Sequence, residues 1–475
     1  MTPDAIAKHA FLPLIRRNVV TYPFKRKDIE SPRIKTKKIR PITYASHTDS
    51  AIYGYYASLL DSKYEKHLDE AKLSESVCAY RKIPCKEGHR HKCNIDIAKE
   101  VFDFIKNKLA EGHELTVITF DIKGFFDNLD HKLLKKAWKD IMEYKHMPED
   151  VYNVFKSITK YSYINEKALF QECKNQIFCK KTTGYKRKKV KRLSYLRNND
   201  TVAFCEKSYV SHLRDIHLIQ TRKKTDIIGI PQGLPISAIL ANVYMFDFDK
   251  KIDEEIHKID GMYRRYSDDI IIVCPNTDGE TWRIYVCSEL EKMKLTIEQH
   301  KTNLFSFVTS KGQNLCLHKI VREKKKLEYL GFSYDGNKIL LKDASLSKYY
   351  MKFKQNFRRT FYMSIHTNNK YRGHVFENKL IKRFSYAGAK THKKRVRSKT
   401  DKSKFVAVQN YRTRGNYLTY VRKASIIMNS PAIRTQLNRS IPKLRKELFE
   451  LKKSINQDIA CQQILEIQRY GKLYH

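Results

Sequence analysis

Acidic residues are scarce in this chain relative to basic ones: its 475 residues carry 51 Asp+Glu against 94 Lys+Arg, a formal net charge of +43. An excess of that size, spread along the whole length, is expected of a protein that handles a polyanion, either nucleic acid or an anionic membrane surface. Long apolar runs are missing too. No stretch approaches the length of a membrane span, and the N-terminal MTPDAIAKHAFLPLIRRN lacks the uninterrupted apolar core of a signal peptide. A soluble, cytoplasmic protein with no membrane partner is the expectation. There is no internal repeat, heptad array or Pro/Ser-rich linker. The ten cysteines are scattered irregularly, which argues against a disulfide framework and for reduced thiols. Cys85, His89, His91 and Cys93 crowd together, but their spacing matches no common structural zinc site. Lys86, Arg90 and Lys92 between them suit a solvated loop near phosphate.

What is present is a globular composition, 41% hydrophobic and 12% aromatic. Residues 1–30 read as a helix-prone extension, and 48–66 as a helix. Leu115-Thr-Val-Ile-Thr-Phe120 reads as a strand ending at Asp121, followed by a helix over 131–142. The stretch 145–225 lacks clear periodicity and holds a basic run, Lys180 to Arg192, in which eight of 13 residues are Lys or Arg. Such a run usually makes a solvated loop. Tyr185 and Tyr195 interleave with the charge, which also suits single-stranded nucleic acid. IIGIPQGLP, from 227, reads as a turn opening a helix to about 256. Further helices are expected at 279–294 and 431–457, the latter interrupted by Pro442, with strand pieces at 327–341. The remainder, 345–475, reads as helical and basic, with a second dense run from Lys390 to Lys404.

The chemistry is carried by GMYRRYSDDIIIVC, residues 261–274, where Asp268 and Asp269 sit between two β-prone runs. Adjacent carboxylates repel unless a cation neutralises them. Asp121 ends its own strand far upstream, and strand ends of one sheet can lie side by side whatever their separation in sequence. Carboxylates gathered this way suit Mg²⁺, which binds through one or two of them plus substrate phosphates. Two such ions about 4 Å apart can clamp the attacking and leaving oxygens of a phosphoryl displacement.

Around these acids the sequence resembles the reverse transcriptases. FDIKGFFD (120–127) resembles the family's motif A, IPQGLPISAILANVY (230–244) motif B, YSDD (266–269) motif C, the segment from Glu298 to Thr302 motif D, and Tyr329-Leu330-Gly331-Phe332 the primer grip. KKIRPI (37–42) and AYR (79–81) are similar to its fingers segments. The resemblance implies RNA-directed DNA polymerase activity. Asp121, the backbone of Ile122, Asp268 and Asp269 would hold two Mg²⁺ ions, with Mn²⁺ as a substitute. Lys38, Arg40 and Arg81 would contact the triphosphate of the incoming dNTP, with Phe126 as the gate against a 2′-OH and Gln232 and Gly233 beside the nascent pair. Lys301 would protonate the leaving pyrophosphate. Tyr266, Tyr329, Leu330 and Gly331 would touch primer or template. Ser237 and Asn242 of motif B could equally hydrogen-bond within the fold.

The QGLPISAxLAN form is most similar to the abortive-infection and unknown-group enzymes of bacterial antiphage defence, and more distantly to group II intron and retron enzymes. That implies a dedicated non-coding RNA template and a DNA product, while the sequence leaves a homo-oligomer open. A group II intron-like maturase, an RNA-dependent RNA polymerase and a non-catalytic RNA-binding scaffold are the alternatives. The implied fold is α+β, a right-hand polymerase. Fingers would span 31–120 and a palm with a small antiparallel sheet 121–341, with the basic insertion at 145–225. A basic helical thumb would occupy 345–475.

Overall fold

The computed structural model describes all residues except 23, 26–33, 86–89, 224, 299, 301, 321, 366–371, 387–392, 399, 402, 413–414 and 472–475. The chain divides into two compact units, one of Met1–Ile83 and Val117–Asn303, the other of Pro84–Thr116 and Leu304–His475.

In the first unit the strands Met262–Tyr266 and Asp269–Pro275 form an antiparallel hairpin, and Leu115–Asp121 lies beside the second of them. Both inner strands are rich in β-branched residues. Val117, Ile118 and Phe120 are buried, as are Ile270, Ile271, Ile272 and Val273, the pattern of strands covered on both faces. Among the helices are His47–Glu70, His131–Ile141, Ser237–Tyr244 and Phe246–His257. His131–Ile141 buries Leu134, Trp138 and Ile141, spaced to make one apolar stripe.

The N-terminal segment is not the helical extension its sequence suggested. Only Pro3–Ala7 is α-helical before Leu14–Thr21 forms a strand. That strand pairs antiparallel with Lys38–Tyr44, Val19 opposite Arg40, and parallel with Ser162–Asn165, which itself pairs with Ile219–Thr221. Partners far along the chain decide its state, and local propensity does not report them.

The stretch 145–225 is likewise folded, and its basic run is not the loop expected. Its basic run forms the antiparallel hairpin Ile177–Lys180/Tyr185–Lys188, with Thr201–Ala203 as a third strand. Ile164, Leu169, Phe170, Cys173, Ile177, Cys179, Val190 and Leu213 make a small core of its own.

In the second unit the helix Asn94–Ala110 buries Ile95, Ala98, Val101, Phe102, Ile105 and Leu109. It accompanies the sheet of Leu327–Tyr329, Phe332–Tyr334 and Ile339–Leu341 and the helices Asp343–Ile365, Glu377–Phe384, Tyr417–Ile427 and Ser440–Gly471. Phe102 packs on Tyr334 with ring centroids 5.2 Å apart, and Asn94 Nδ2 donates to Leu330 O at 3.0 Å and Tyr420 Oη at 3.1 Å. Pro442 does not interrupt the last helix, because it falls in the first turn, where a missing N–H costs little. Within the second basic run the structure is again a hairpin, Lys393–Arg397 with Phe405–Arg412, not a helix. At the cysteine–histidine cluster, His89 lies outside the described residues. Cys93 starts the Asn94 helix, its N–H donating to Asp96 Oδ2 at 2.9 Å while Arg90 grips the same carboxylate at 2.6 and 2.8 Å.

Candidate active site

Tyr266 pairs with Asp269 across the hairpin, so Ser267 and Asp268 form its two-residue turn. Ser267 has φ 62°, a conformation that favours glycine. Two contacts and burial hold it there. Arg265 donates to Ser267 O at 3.3 Å, the Ser267 and Tyr80 hydroxyls are 3.1 Å apart, and Ser267 is itself buried.

Arg265 is the anchor behind the turn. Its side chain and that of Asp249 are both fully buried, joined by bonds of 2.7 and 2.5 Å. Tyr263 Oη donates to the same carboxylate at 2.6 Å, and Arg265 also donates to Asn242 Oδ1 at 3.2 Å. Burial would lower the Arg265 pKa, but the Asp249 carboxylate more than reverses this and holds the guanidinium charged. Asn242 in turn donates to Ala79 O at 2.9 Å, and Arg265 exchanges backbone bonds with Ser76 and Cys78. Motif B, the AYR segment and the acidic turn are therefore tied together from beneath. Sequence reasoning missed Arg265 and Asp249; the only hint was two arginines placed inside an otherwise apolar hairpin.

Asp121 arrives at the same turn. Ile122 N donates to Asp268 O at 3.2 Å, while Glu298 N donates to Asp121 O at 2.9 Å and Lys123 N to Thr296 O at 2.9 Å. The strand end is thus fixed between the YSDD turn and the first residue of motif D. Asp121 and Asp268 are half-buried, Asp269 is exposed and the Ile122 side chain is buried, leaving only the backbone of Ile122 to serve a ligand.

The chain after Asp121 turns at Gly124 (φ 54°) into the short helix Phe125–Asn128. Phe125 is buried and Phe126 half-buried. The two rings meet edge to face, their centroids 5.6 Å apart. The segment before PQG is bonded along this turn: Ile230 N to Phe126 O at 2.8 Å, Gly229 N to Leu129 O at 2.7 Å, and His131 N to Ile227 O at 2.9 Å. Beyond it, Gln232 O accepts from Thr43 N at 2.8 Å and Thr43 Oγ1 at 3.2 Å. Gly233 is packed so closely there that a Cβ would stand 2.5 Å from Thr43 O, at a φ of 116°. Phe126, Gln232, Gly233 and the strand bearing Lys38 and Arg40 are so brought into one neighbourhood. Lys38 and Arg40 are exposed.

Other expected residues stand elsewhere. Arg81 does not offer its guanidinium to a triphosphate. Its side chain is 3% exposed and donates to both Glu65 oxygens, at 2.7 and 2.6 Å, and to Ser74 O and Val77 O. A buried cation this fully bonded is a clamp within the fold. Ser237 donates to Pro231 O at 2.6 Å, shaping the PQG turn. Lys301 lies outside the described residues. In the second unit, Tyr329 is buried, so it is the Leu330–Gly331 turn, at φ 44° and 94°, that surfaces from the primer-grip segment.

The reverse transcriptase (RNA-dependent DNA polymerase) family matches residues 29–334. The chain belongs to this family. Its fold is α+β, the right-hand polymerase fold of that family. Among similar solved structures are apo telomerase from Candida tropicalis, truncated of its C-terminal domain, and telomerase from Candida albicans in complex with a TWJ fragment of telomeric RNA. The first is 11% identical, covering 69% of this chain and 55% of that one at a TM-score of 0.40. The second is 14% identical, covering 80% and 56% at 0.38. The chain thus spans just over half the length of these structures. No curated protein matches it.

Reverse transcriptases generally use divalent metal ions. Among the described residues no group of three His, Cys, Asp or Glu forms a ready cage for one. Asp121 and Asp268, drawn together by the bond from Ile122 N to Asp268 O, with Asp269 adjacent, fit an ion that takes one or two carboxylates and completes its shell with substrate phosphate and water.

Proposed function

We propose that this reverse transcriptase copies a dedicated non-coding RNA into DNA from dNTPs, in the cytoplasm, as part of bacterial antiphage defence. The observation that carries the polymerase centre is the bond from Ile122 N to Asp268 O, which joins the end of motif A to the acidic turn. Asp121, Asp268 and Asp269 would hold Mg²⁺, which supplies charge neutralisation at the triphosphate and at the attacking 3′-oxygen. The protein's own share is positioning. Arg40 and Lys38 reach the phosphates, Phe126 sets the floor of the sugar pocket, and the PQG turn presents backbone to the nascent pair. The defence role rests on the QGLPISAxLAN form of motif B.

Replacing both Asp268 and Asp269 with Ala should abolish primer extension while RNA affinity persists, since binding rests on Lys and Arg contacts to phosphate. Extension surviving in that double variant overturns the polymerase centre. Sequencing the nucleic acid that co-purifies from cells tests the rest: one defined RNA with complementary DNA supports the proposal, and a heterogeneous RNA population without DNA contradicts it.

A further inference from the structure

The motifs account for the residues around the acidic turn but not for the lobe at 145–225. We propose that the hairpin Ile177–Lys180/Tyr185–Lys188, with the basic segment that follows it to Arg192, is a docking surface for single-stranded RNA. This rests on the reading above only in that the chain handles RNA.

The surface is built rather than solvated chain. The hairpin has full antiparallel register, Ile177 opposite Lys188 and Lys180 opposite Tyr185. Lys181 N closes its turn on Gly184 O at 3.0 Å, and Lys180 N is fixed to Asp200 O at 2.9 Å. Ile177, Cys179 and Val190 bury into the lobe's core, so every cation between Lys180 and Arg192 faces outward. Among the described residues, Arg187 alone of these eight cations forms an ion pair, with Glu206 at 2.8 Å. Lys180, Lys181 and Lys186, with Thr182, Thr183 and Asp200, line a hollow of about 500 Å³. Three cations against one carboxylate, beside hydroxyl donors, leave a positive hollow that suits phosphate oxygens.

Aromatic rings stand among these charges. Tyr185 is 64% exposed and Tyr195 41%. Arg192 lies 5.8 Å from the centroid of the Tyr195 ring, and Arg187 5.3 Å from that of Phe178. Exposed rings beside a cationic track are what unpaired bases stack on, and bases inside a duplex are not available to them. The tip, Thr182-Thr183-Gly184, carries no apolar side chain to enter a bilayer, which disfavours a lipid surface.

The test is equilibrium binding of fluorescent oligo(U), without nucleotides, at several salt concentrations. Two variants are compared with the native chain: Lys180→Gln/Lys181→Gln/Lys186→Gln/Lys189→Gln and, separately, Tyr185→Ala. All of these positions are exposed, and circular dichroism checks folding. The quadruple variant should lose at least about tenfold in affinity. Its log–log salt slope should flatten by about 2 to 3, since each lost phosphate contact on a single strand removes about 0.7. Tyr185→Ala should weaken binding at least about fivefold. Native affinity and slope in both variants overturn the proposal. So does a loss seen equally with duplex RNA, or one seen only with phosphatidylserine vesicles. Because the readout uses no catalysis, its failure is separate from that of the Asp268/Asp269 test.

Discussion

At the scale of single residues, the acidic turn is held from behind by a fully buried charge pair, Arg265 and Asp249. Replacing Arg265 with Leu leaves the Asp249 carboxylate buried and uncompensated and should cost about 3–5 kcal/mol, read by denaturant unfolding. Replacing both residues with Leu should recover most of that loss. If the single and double variants are equally destabilised, the pair is not the anchor described here. Phe126, by contrast, is proposed to act on substrate choice: Phe126→Ala should raise incorporation of rNTPs relative to dNTPs with little change in stability, in single-nucleotide extension assays. Native protein that already uses rNTPs as readily as dNTPs would refute the gate. The meeting of motif A with the Asp268–Asp269 turn was legible in the sequence because both segments follow the family's motifs. The Arg265–Asp249 pair was not, because in so basic a chain one more Arg and one more Asp look like surface. Arg81 misled for a related reason, since its type fits phosphate and only its burial against Glu65 shows otherwise.

At the scale of elements, the helix His131–Ile141 joins motif A to the PQG segment through its first residue, His131. Asp130 caps it, accepting from Lys132 N and Leu133 N at 2.9 and 3.0 Å and from Lys294 Nζ at 2.7 Å. Burial would raise the Asp130 pKa, but Lys294 and the backbone donors more than offset this and the pKa is lowered. His131 donates Nε2–H to Gly229 O at 2.8 Å, and burial lowers its pKa. Both shifts have the same consequence. The folded state binds fewer protons than the unfolded chain, so stability falls as pH falls, below about 6.5 for His131 and below about 3.9 for Asp130. The melting temperature should drop between about pH 8 and pH 5, and less steeply in His131→Gln; identical profiles would remove His131 as a cause. Asp130→Ala should cost about 1–2 kcal/mol at neutral pH through the lost cap alone. The helix itself was readable from its apolar spacing, as were the strand at Leu115–Asp121 and the YSDD hairpin. The N-terminal strand and the basic hairpin were not, because their partners lie far away in the chain and periodicity carries no record of pairing.

At the scale of the whole molecule, the +43 charge sets how the protein meets nucleic acid. With 6–10 phosphate contacts, RNA affinity should fall about 10³- to 10⁵-fold between 50 and 200 mM salt, and a flat salt response would deny phosphate the main role. The second unit is completed by an upstream helix, Asn94–Ala110, and by the sheet before residue 345. Gln436 bonds both backbone groups of Leu341, at 2.8 and 3.3 Å, and Ser430 bonds Ile339 O at 2.9 Å. A fragment of residues 345–475 should therefore melt without cooperativity, and a sharp transition in that fragment would show the division to be wrong.

The same interleaving reaches into synthesis on the ribosome. Residues 84–116 emerge well before residue 304 exists, and at about 5–20 residues per second the interval is about 10–40 s. Through that interval the stripe of Ile95, Val101, Phe102 and Ile105 has no downstream partner to cover it. The nascent chain must hold a greasy helix in reserve while the first unit's own strands are collapsing around it, so the yield of native protein should depend on translation speed and on chaperones that shield that segment.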